Sequence, residues 1–148
     1  MYSAHIEIPA TPARVFSVLT DPTLLKRWQP EVVDARPPEG GMRVGAVAQG
    51  IAEEFGRRFP VQLVVRRFEP DAALSYDMTT PMWSGRIDYV LTARPERTML
   101  SFRFAPNPPS GWKRYPLFVI ALVTRPLVQR RLRKRLLALS GVVQTTTG

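Results

Sequence analysis

The sequence has no cysteine and a single histidine among its 148 residues. The lack of cysteine excludes disulfides, thiolate zinc sites, iron–sulfur ligation and a cysteine nucleophile. One histidine is too few for a histidine-based metal site, so we predict no metal and no other cofactor. The longest apolar stretch, residues 116–123, is far shorter than the roughly 20 residues of a membrane span. The first residues lack a basic patch followed by an apolar run, so no secretory signal is expected.

Acidic residues are missing from the last third of the chain. Residues 1–96 carry 11 Lys/Arg and 12 Asp/Glu, whereas residues 97–148 carry 10 Lys/Arg and no acid. The formal net charge of +9 therefore belongs to the last third. Such asymmetry has two interpretations: contact with an anionic partner, or the solvated face of a helix.

Local patterns in the first third predict one strand and two short helices. Residues 2–8 alternate between apolar and polar side chains, as a strand does. Thr11-Pro12 is typical of a helix N-cap followed by proline at the first helical position. Asp21-Pro22 repeats this device and opens the second helix, which Pro30 ends.

Period-two alternation predicts about six further strands in residues 32–104. They cover residues 32–36, 42–53, 59–66, 74–79, 86–92 and 100–104, with turns that include residues 56–58, 69–71, 81 and 94–96. Strands joined by such short turns form an antiparallel meander. After residues 105–111, residues 112–123 and 127–140 are helical, with a kink at Pro126. Gly141 is expected to end this helix.

The element order predicts an α+β fold in one domain over residues 1–141, with a flexible tail at 142–148. An antiparallel sheet needs an apolar cover on its inner face, and the C-terminal helix is the only long amphipathic element in the pattern. A curved sheet that grips one long helix leaves a gap suited to apolar ligands.

Two motifs carry a family resemblance. The run Ile6-Glu7-Ile8-Pro9-Ala10-Thr11-Pro12-Ala13-Arg14-Val15-Phe16 resembles the opening of the START-like, Bet v 1-like superfamily, also called SRPBCC or polyketide cyclase-like. Asp21-Pro22, Leu24-Leu25 and Trp28-Gln29-Pro30 resemble its next segment, and the element order fits over residues 2–140. The resemblance implies the helix-grip fold: a curved antiparallel sheet of about seven strands, with two short helices after the first, around a long C-terminal helix and an internal hydrophobic cavity.

This superfamily contains lipid and sterol carriers, hormone and metabolite binders, and polyketide aromatases/cyclases, so the resemblance does not assign the activity. We predict binding or transport of a hydrophobic small molecule or lipid. The alternatives are a polyketide aromatase/cyclase or dehydratase without metal or cofactor, and a peripheral protein of anionic membranes. We expect a cytoplasmic monomer or homodimer, with docking at the inner membrane surface as its second use, and no nucleic-acid partner.

Candidate ligand-binding residues are the large apolar and aromatic side chains of the predicted inner faces: Trp28, Tyr76, Met78, Trp83, Ile87, Tyr89, Phe102, Phe104, Phe118 and Leu122. The alternative is that they simply fill a core. A buried phenol needs a hydrogen-bond partner, which a ligand or cavity water can supply. Tyr76 and Tyr89 are therefore also the candidate proton donors of an enzyme.

Polar chemistry is sparse in this sequence. His5 is expected at the surface, and Arg86 and Asp88 are expected to form a surface ion pair. Glu53 and Glu54 approach the predicted cavity mouth without a catalytic partner. No Ser–His–Asp set, glycine-rich phosphate loop or HExxH motif occurs. Cations cluster on the C-terminal helix, where the candidates for contact with an anionic surface are Arg125, Arg130, Arg131, Arg133, Lys134 and Arg135.

Overall fold

The computed structural model describes residues 2–54, 56–81, 83–107 and 125–145, with the backbone alone for residues 125–128. Within these ranges the elements are β1 (Tyr2–Ile8), α1 (Pro12–Leu19), α2 (Leu25–Trp28), β2 (Val32–Arg36), β3 (Val47–Glu54), β4 (Arg57–Glu69), β5 (Ala73–Thr79), β6 (Ser84–Arg94), β7 (Arg97–Pro106) and α3 (Arg125–Thr145). The helix predicted over residues 112–123, with Phe118 and Leu122, lies outside the described residues.

The seven strands form one sheet in the order β1-β7-β6-β5-β4-β3-β2, and every neighbouring pair is antiparallel. Strands β2 to β7 follow one another as a meander, and from β3 onward short turns join them, as only antiparallel neighbours allow. Strand β1 pairs with β7 instead, which puts β1 and β2 at opposite edges. This arrangement confirms the predicted α+β architecture.

The two short helices connect these edges. Helix α1 begins as predicted, because Thr11 Oγ1 accepts a hydrogen bond from the Arg14 amide at 3.3 Å and a proline occupies the first turn. Helix α2 begins later than its predicted start at Asp21-Pro22. Asp21 Oδ1 accepts hydrogen bonds from the amide and the hydroxyl of Thr23, at 2.9 and 2.7 Å. These bonds close a turn that precedes the helix.

Two strand boundaries differ from the prediction. Strand β3 begins at Val47 rather than at residue 42, because Gly45 has a positive φ of 89° and forms a turn that strand geometry does not allow. Strand β4 begins at Arg57 rather than after Arg58. Gly56, directly before the strand, has the positive φ of 73° that a tight reversal needs.

A bulge in β4 keeps its far end attached to the core. The pairing with β5 shifts between Val65 and Arg67, so that one extra residue is accommodated on the outward side. Phe68 thereby points inward and packs against Phe16 of α1, with ring centroids 5.6 Å apart. The bulge thus ties the meander to the first helix.

Helix α3 lies against β1, α1 and α2. It buries Leu132, Leu136 and Leu139, the stripe that its spacing predicts. It does not end at Gly141 but continues to Thr145, because Val142 and Val143 are buried in the core and hold the last turn in place. Residues 142–145, predicted as the start of a flexible tail, are therefore helical, and the rest of that tail lies outside the described residues.

Candidate functional site

A cavity of about 250 Å³ lies between the inner face of the sheet and the helices. Seven predicted ligand-binding residues line it: Trp28, Tyr76, Met78, Trp83, Ile87, Tyr89 and Phe102. Phe104 is not among the lining residues, because its ring is stacked on Tyr2 at 6.1 Å and packed edge-on against Trp83 at 5.4 Å. Its position indicates support for the cavity wall rather than contact with a ligand.

Small residues of β3 leave the space that the cavity occupies. Ala48, Gly50 and Ala52 line it, opposite the larger Leu63, Val61 and Phe59 of β4. A Cβ atom at Gly50 would stand 2.7 Å from the Asp34 carbonyl oxygen. Glycine is therefore required here, because a side chain would collide with the backbone of β2.

The two tyrosines are neutral hydrogen-bonding groups in an apolar wall. Burial, with Tyr89 as a smaller cause, raises the pKa of Tyr76. Burial also raises the pKa of Tyr89 to about 12, with Arg135 opposing the rise and Glu31 adding to it. Among the described residues neither hydroxyl has a hydrogen-bond partner, so both remain able to bond to a molecule in the cavity.

An ion pair joins α3 to the sheet beside Tyr89. Arg135 donates to the carboxylate of Glu31, which directly precedes β2, and both residues line the cavity. One turn earlier, Arg131 pairs with Glu54 at 3.1 Å. These two arginines were expected on the outer face of the helix with the other cations. They face the sheet because the carboxylates at its β2–β3 edge attract them.

The remaining cations of α3 match the predicted outer face. Arg130, Arg133 and Lys134 are exposed, and the side chain of Arg125 lies outside the described residues. Whether they contact an anionic surface stays a prediction. In the described ranges, no helix has the length and apolar character needed to span a bilayer.

The indole nitrogen of Trp28 is buried without a hydrogen-bond partner among the described residues. The residue is only 2% exposed. A buried indole N–H ordinarily finds an acceptor, since leaving it unpaired costs about 1–3 kcal/mol. The side chain lines the cavity, but the nitrogen itself has almost no accessible surface, so a ligand can reach it only after the side chain moves.

The polar residues predicted at the surface lie there. His5 is exposed, as predicted. Arg86 and Asp88 form the expected surface pair at 3.4 Å, and Asp88 also accepts from the Ser75 hydroxyl at 2.5 Å. Within the residues described, no three His, Asp or Glu side chains are grouped as metal ligands would be.

The model of the family described as "Polyketide cyclase / dehydrase and lipid transport" matches residues 2–144 of the sequence. The chain belongs to this family. Its role is accordingly hydrophobic ligand binding or cyclase-like chemistry. No curated protein matches the sequence.

Solved structures support the fold of this polyketide cyclase and lipid-transport family member. Ara h 8.0201 is similar over 98% of this chain and 97% of its own, with 16% identity and a TM-score of 0.73. The Aha1 dimer from Colwellia psychrerythraea is similar over 99% and 98%, with 19% identity and a TM-score of 0.62. DynU16, from the dynemicin biosynthetic locus, matches over 97% of this chain at 17% identity and a TM-score of 0.69, and the chain spans only 47% of its length.

The sequence did not predict that Glu31 and Arg135 line the cavity of this family member. The charge pattern gives Glu31 no role and groups Arg135 with the cations of the outer helix face. One signal was present: Arg131 and Arg135 are four residues apart and each precedes a leucine of the buried stripe by one position. Such positions flank the buried face of a helix and can reach the element it covers.

Proposed function

We propose that this protein binds a hydrophobic small molecule or lipid in the cavity beneath α3. The observation that carries the proposal is the cavity itself, lined largely by apolar and aromatic residues. An engineered cavity of about 150 Å³ in another protein already binds benzene, and this one has about 250 Å³. It suits a ligand larger than a single benzene ring.

The competing function in the same family is cyclase-like catalysis, for which Tyr76 and Tyr89 are the candidate proton donors. A general acid works best with a pKa near the operating pH, whereas burial raises the pKa of both phenols. Among the described residues neither hydroxyl is hydrogen-bonded to a base. These observations support binding over catalysis. Turnover of a polyketide-like substrate that is lost in Tyr76→Phe or Tyr89→Phe would favour the enzyme.

The exposed cations of α3 support a second, compatible role. Arg130, Arg133 and Lys134 are free of carboxylates on their own helix, since the last third of the chain contains none. Each cation near an anionic lipid surface contributes about 1 kcal/mol. The helix cannot insert, because its leucine stripe is buried in the core. We therefore propose electrostatic docking of the carrier at the inner membrane surface, which salt should abolish in co-sedimentation with anionic vesicles.

The test of ligand binding uses the protein as purified. Native mass spectrometry, followed by solvent extraction, should find a co-purifying apolar molecule, and its peaks also report monomer or homodimer. In the variant Ala48→Phe, a ring occupies cavity space, and the retained molecule should be lost. The matched control Ala93→Phe, at an exposed position of β6, should retain it. Equal retention by both variants would contradict binding at this cavity.

A further inference from the structure

Four residues that carry polar groups lie in the wall of the cavity, which is largely apolar. Glu31 and Arg135 form their ion pair there, and their side chains are only 18% and 27% exposed. Tyr89 is close enough that both charges influence its pKa. Trp28 also lines the cavity and keeps a buried indole N–H without a partner among the described residues. We call these residues the polar cluster.

Among the described residues, the polar cluster has more hydrogens to donate than it uses. A guanidinium carries five N–H groups, and Arg135 has a single hydrogen bond within the described residues, to Glu31. The Tyr89 hydroxyl adds one donor that is unused among the described residues, whereas the Trp28 N–H has almost no accessible surface and is closed to a ligand in this structure. Glu31 alone of the four has no hydrogen to donate when it is ionised. The complementary ligand group is therefore a hydrogen-bond acceptor.

The charge of the cluster argues for an acceptor without charge. Glu31 and Arg135 cancel each other, so no net positive charge remains to balance an anion. A carboxylate placed here would lie close to Glu31 in a poorly solvated site, where an unbalanced charge is costly. A carbonyl oxygen accepts the same hydrogen bonds without that cost.

Resting on the proposed function, we propose that the polar cluster selects apolar ligands that carry an uncharged oxygen acceptor, such as a ketone or ester carbonyl. The apolar part of the ligand lies against Met78, Ile87 and Phe102, and the oxygen lies at the cluster. Arg135 is then a specificity-determining residue rather than a surface cation.

The experiment compares three naphthalenes of similar shape by titration calorimetry. 2-Acetonaphthone carries the neutral carbonyl, 2-ethylnaphthalene lacks it, and 2-naphthoate replaces it with an anion. Wild-type protein should bind 2-acetonaphthone about tenfold more tightly than 2-ethylnaphthalene, because hydrogen bonds to a charged donor are among the stronger ones. The anion should bind no better than the hydrocarbon.

Variants test whether the polar cluster causes the preference for the ketone over the hydrocarbon. Glu31→Met combined with Arg135→Met removes the pair without leaving an unbalanced charge and should reduce the ketone preference to about twofold or less. Tyr89→Phe, which removes a single donor and leaves the ion pair in place, should reduce it about threefold. The control is Arg133→Met, on the exposed side of the same helix, which should keep the full preference.

The possible outcomes distinguish a failure of this inference from a failure of the proposed ligand binding. If wild-type protein binds none of the three naphthalenes, ligand binding in the cavity is contradicted and the inference falls with it. If the hydrocarbon and the ketone bind equally well, or the preference survives in both cluster variants, the cavity binds ligands but the cluster does not select them. Tighter binding of 2-naphthoate than of 2-acetonaphthone would contradict the inference that the polar cluster prefers an uncharged oxygen acceptor.

Discussion

The two ion pairs between α3 and the sheet offer a matched comparison, because one is mostly buried and the other is about twice as exposed. The side chains of Arg135 and Glu31 are 27% and 18% exposed, against 60% and 34% for Arg131 and Glu54. The residue types are the same, and the arginines are one helical turn apart. Burial is therefore the main variable.

The expected costs follow from what each arginine leaves behind. Arg135→Met leaves Glu31 as a poorly solvated, unpaired carboxylate. Breaking a fully buried pair costs roughly 3–5 kcal/mol, and partial exposure lowers this to about 2 kcal/mol here. Arg131→Met leaves Glu54 in contact with water, so its cost should stay below about 1 kcal/mol. The loss of unfolding free energy should thus be at least about twofold larger for Arg135→Met than for Arg131→Met.

Urea denaturation, followed by far-UV circular dichroism, measures the free energies of unfolding. Double-mutant cycles with Glu31→Gln and Glu54→Gln then give the interaction energy of each arginine with its glutamate. We expect a coupling energy of about 1–2 kcal/mol for Glu31–Arg135 and below about 0.5 kcal/mol for Glu54–Arg131. Equal costs for the two arginine variants, or equal coupling energies, would refute the placement of Arg135 in a poorly solvated site.

Three further predictions concern the core and the cavity. Leu136→Ala should lower the free energy of unfolding by roughly 2–5 kcal/mol, whereas Leu137→Ala, at a side chain 53% exposed, should stay within about 0.5 kcal/mol in the same assay. Val143→Ala should cost about 1–2 kcal/mol, and no loss would mean that the end of α3 does not pack. Because the pKa of Tyr89 is about 12 when folded and about 10 when unfolded, its protonated form stabilises the fold fully below pH 10 and progressively less towards pH 12. Unfolding at about pH 11 should therefore show wild type losing about 1 kcal/mol relative to Tyr89→Phe, and parallel pH profiles would contradict this.

The sequence was sufficient where local chemistry decides the structure. Thr11-Pro12 marks the start of α1, and the alternation around Ile87 and Tyr89 identifies the inward face of β6, because these signals depend on residues adjacent in the chain. The resemblance at residues 6–16 added the overall architecture. Most of the predicted ligand-binding residues line the cavity for the same reason, since inward alternation brings aromatic side chains to one face of the sheet.

Local sequence patterns did not predict structure that depends on contacts between residues far apart in the chain. Arg135 lies among five cations within six residues. Its position beside Leu136 indicates only that it can reach the sheet, and the tertiary position of Glu31 decides that it does. Gly141 is a common helix end, yet the core contacts of Val142 and Val143 outweigh the roughly 1 kcal/mol cost of glycine within a helix. In both cases the deciding contact joins residues that are far apart in sequence or packs against elements that the local pattern does not contain.

The pairing of β1 with β7 also has a consequence for folding kinetics. Ile8 pairs with Thr98, and Tyr2 pairs with Phe104, so the first strand made can join the sheet only after the last strand exists. At about 5–20 residues per second, β1 waits on the order of 5–20 s on the ribosome with its apolar side unprotected. Such long-range closure predicts slow folding for a chain of this size. The newly made chain therefore depends on remaining unaggregated until its final strand emerges.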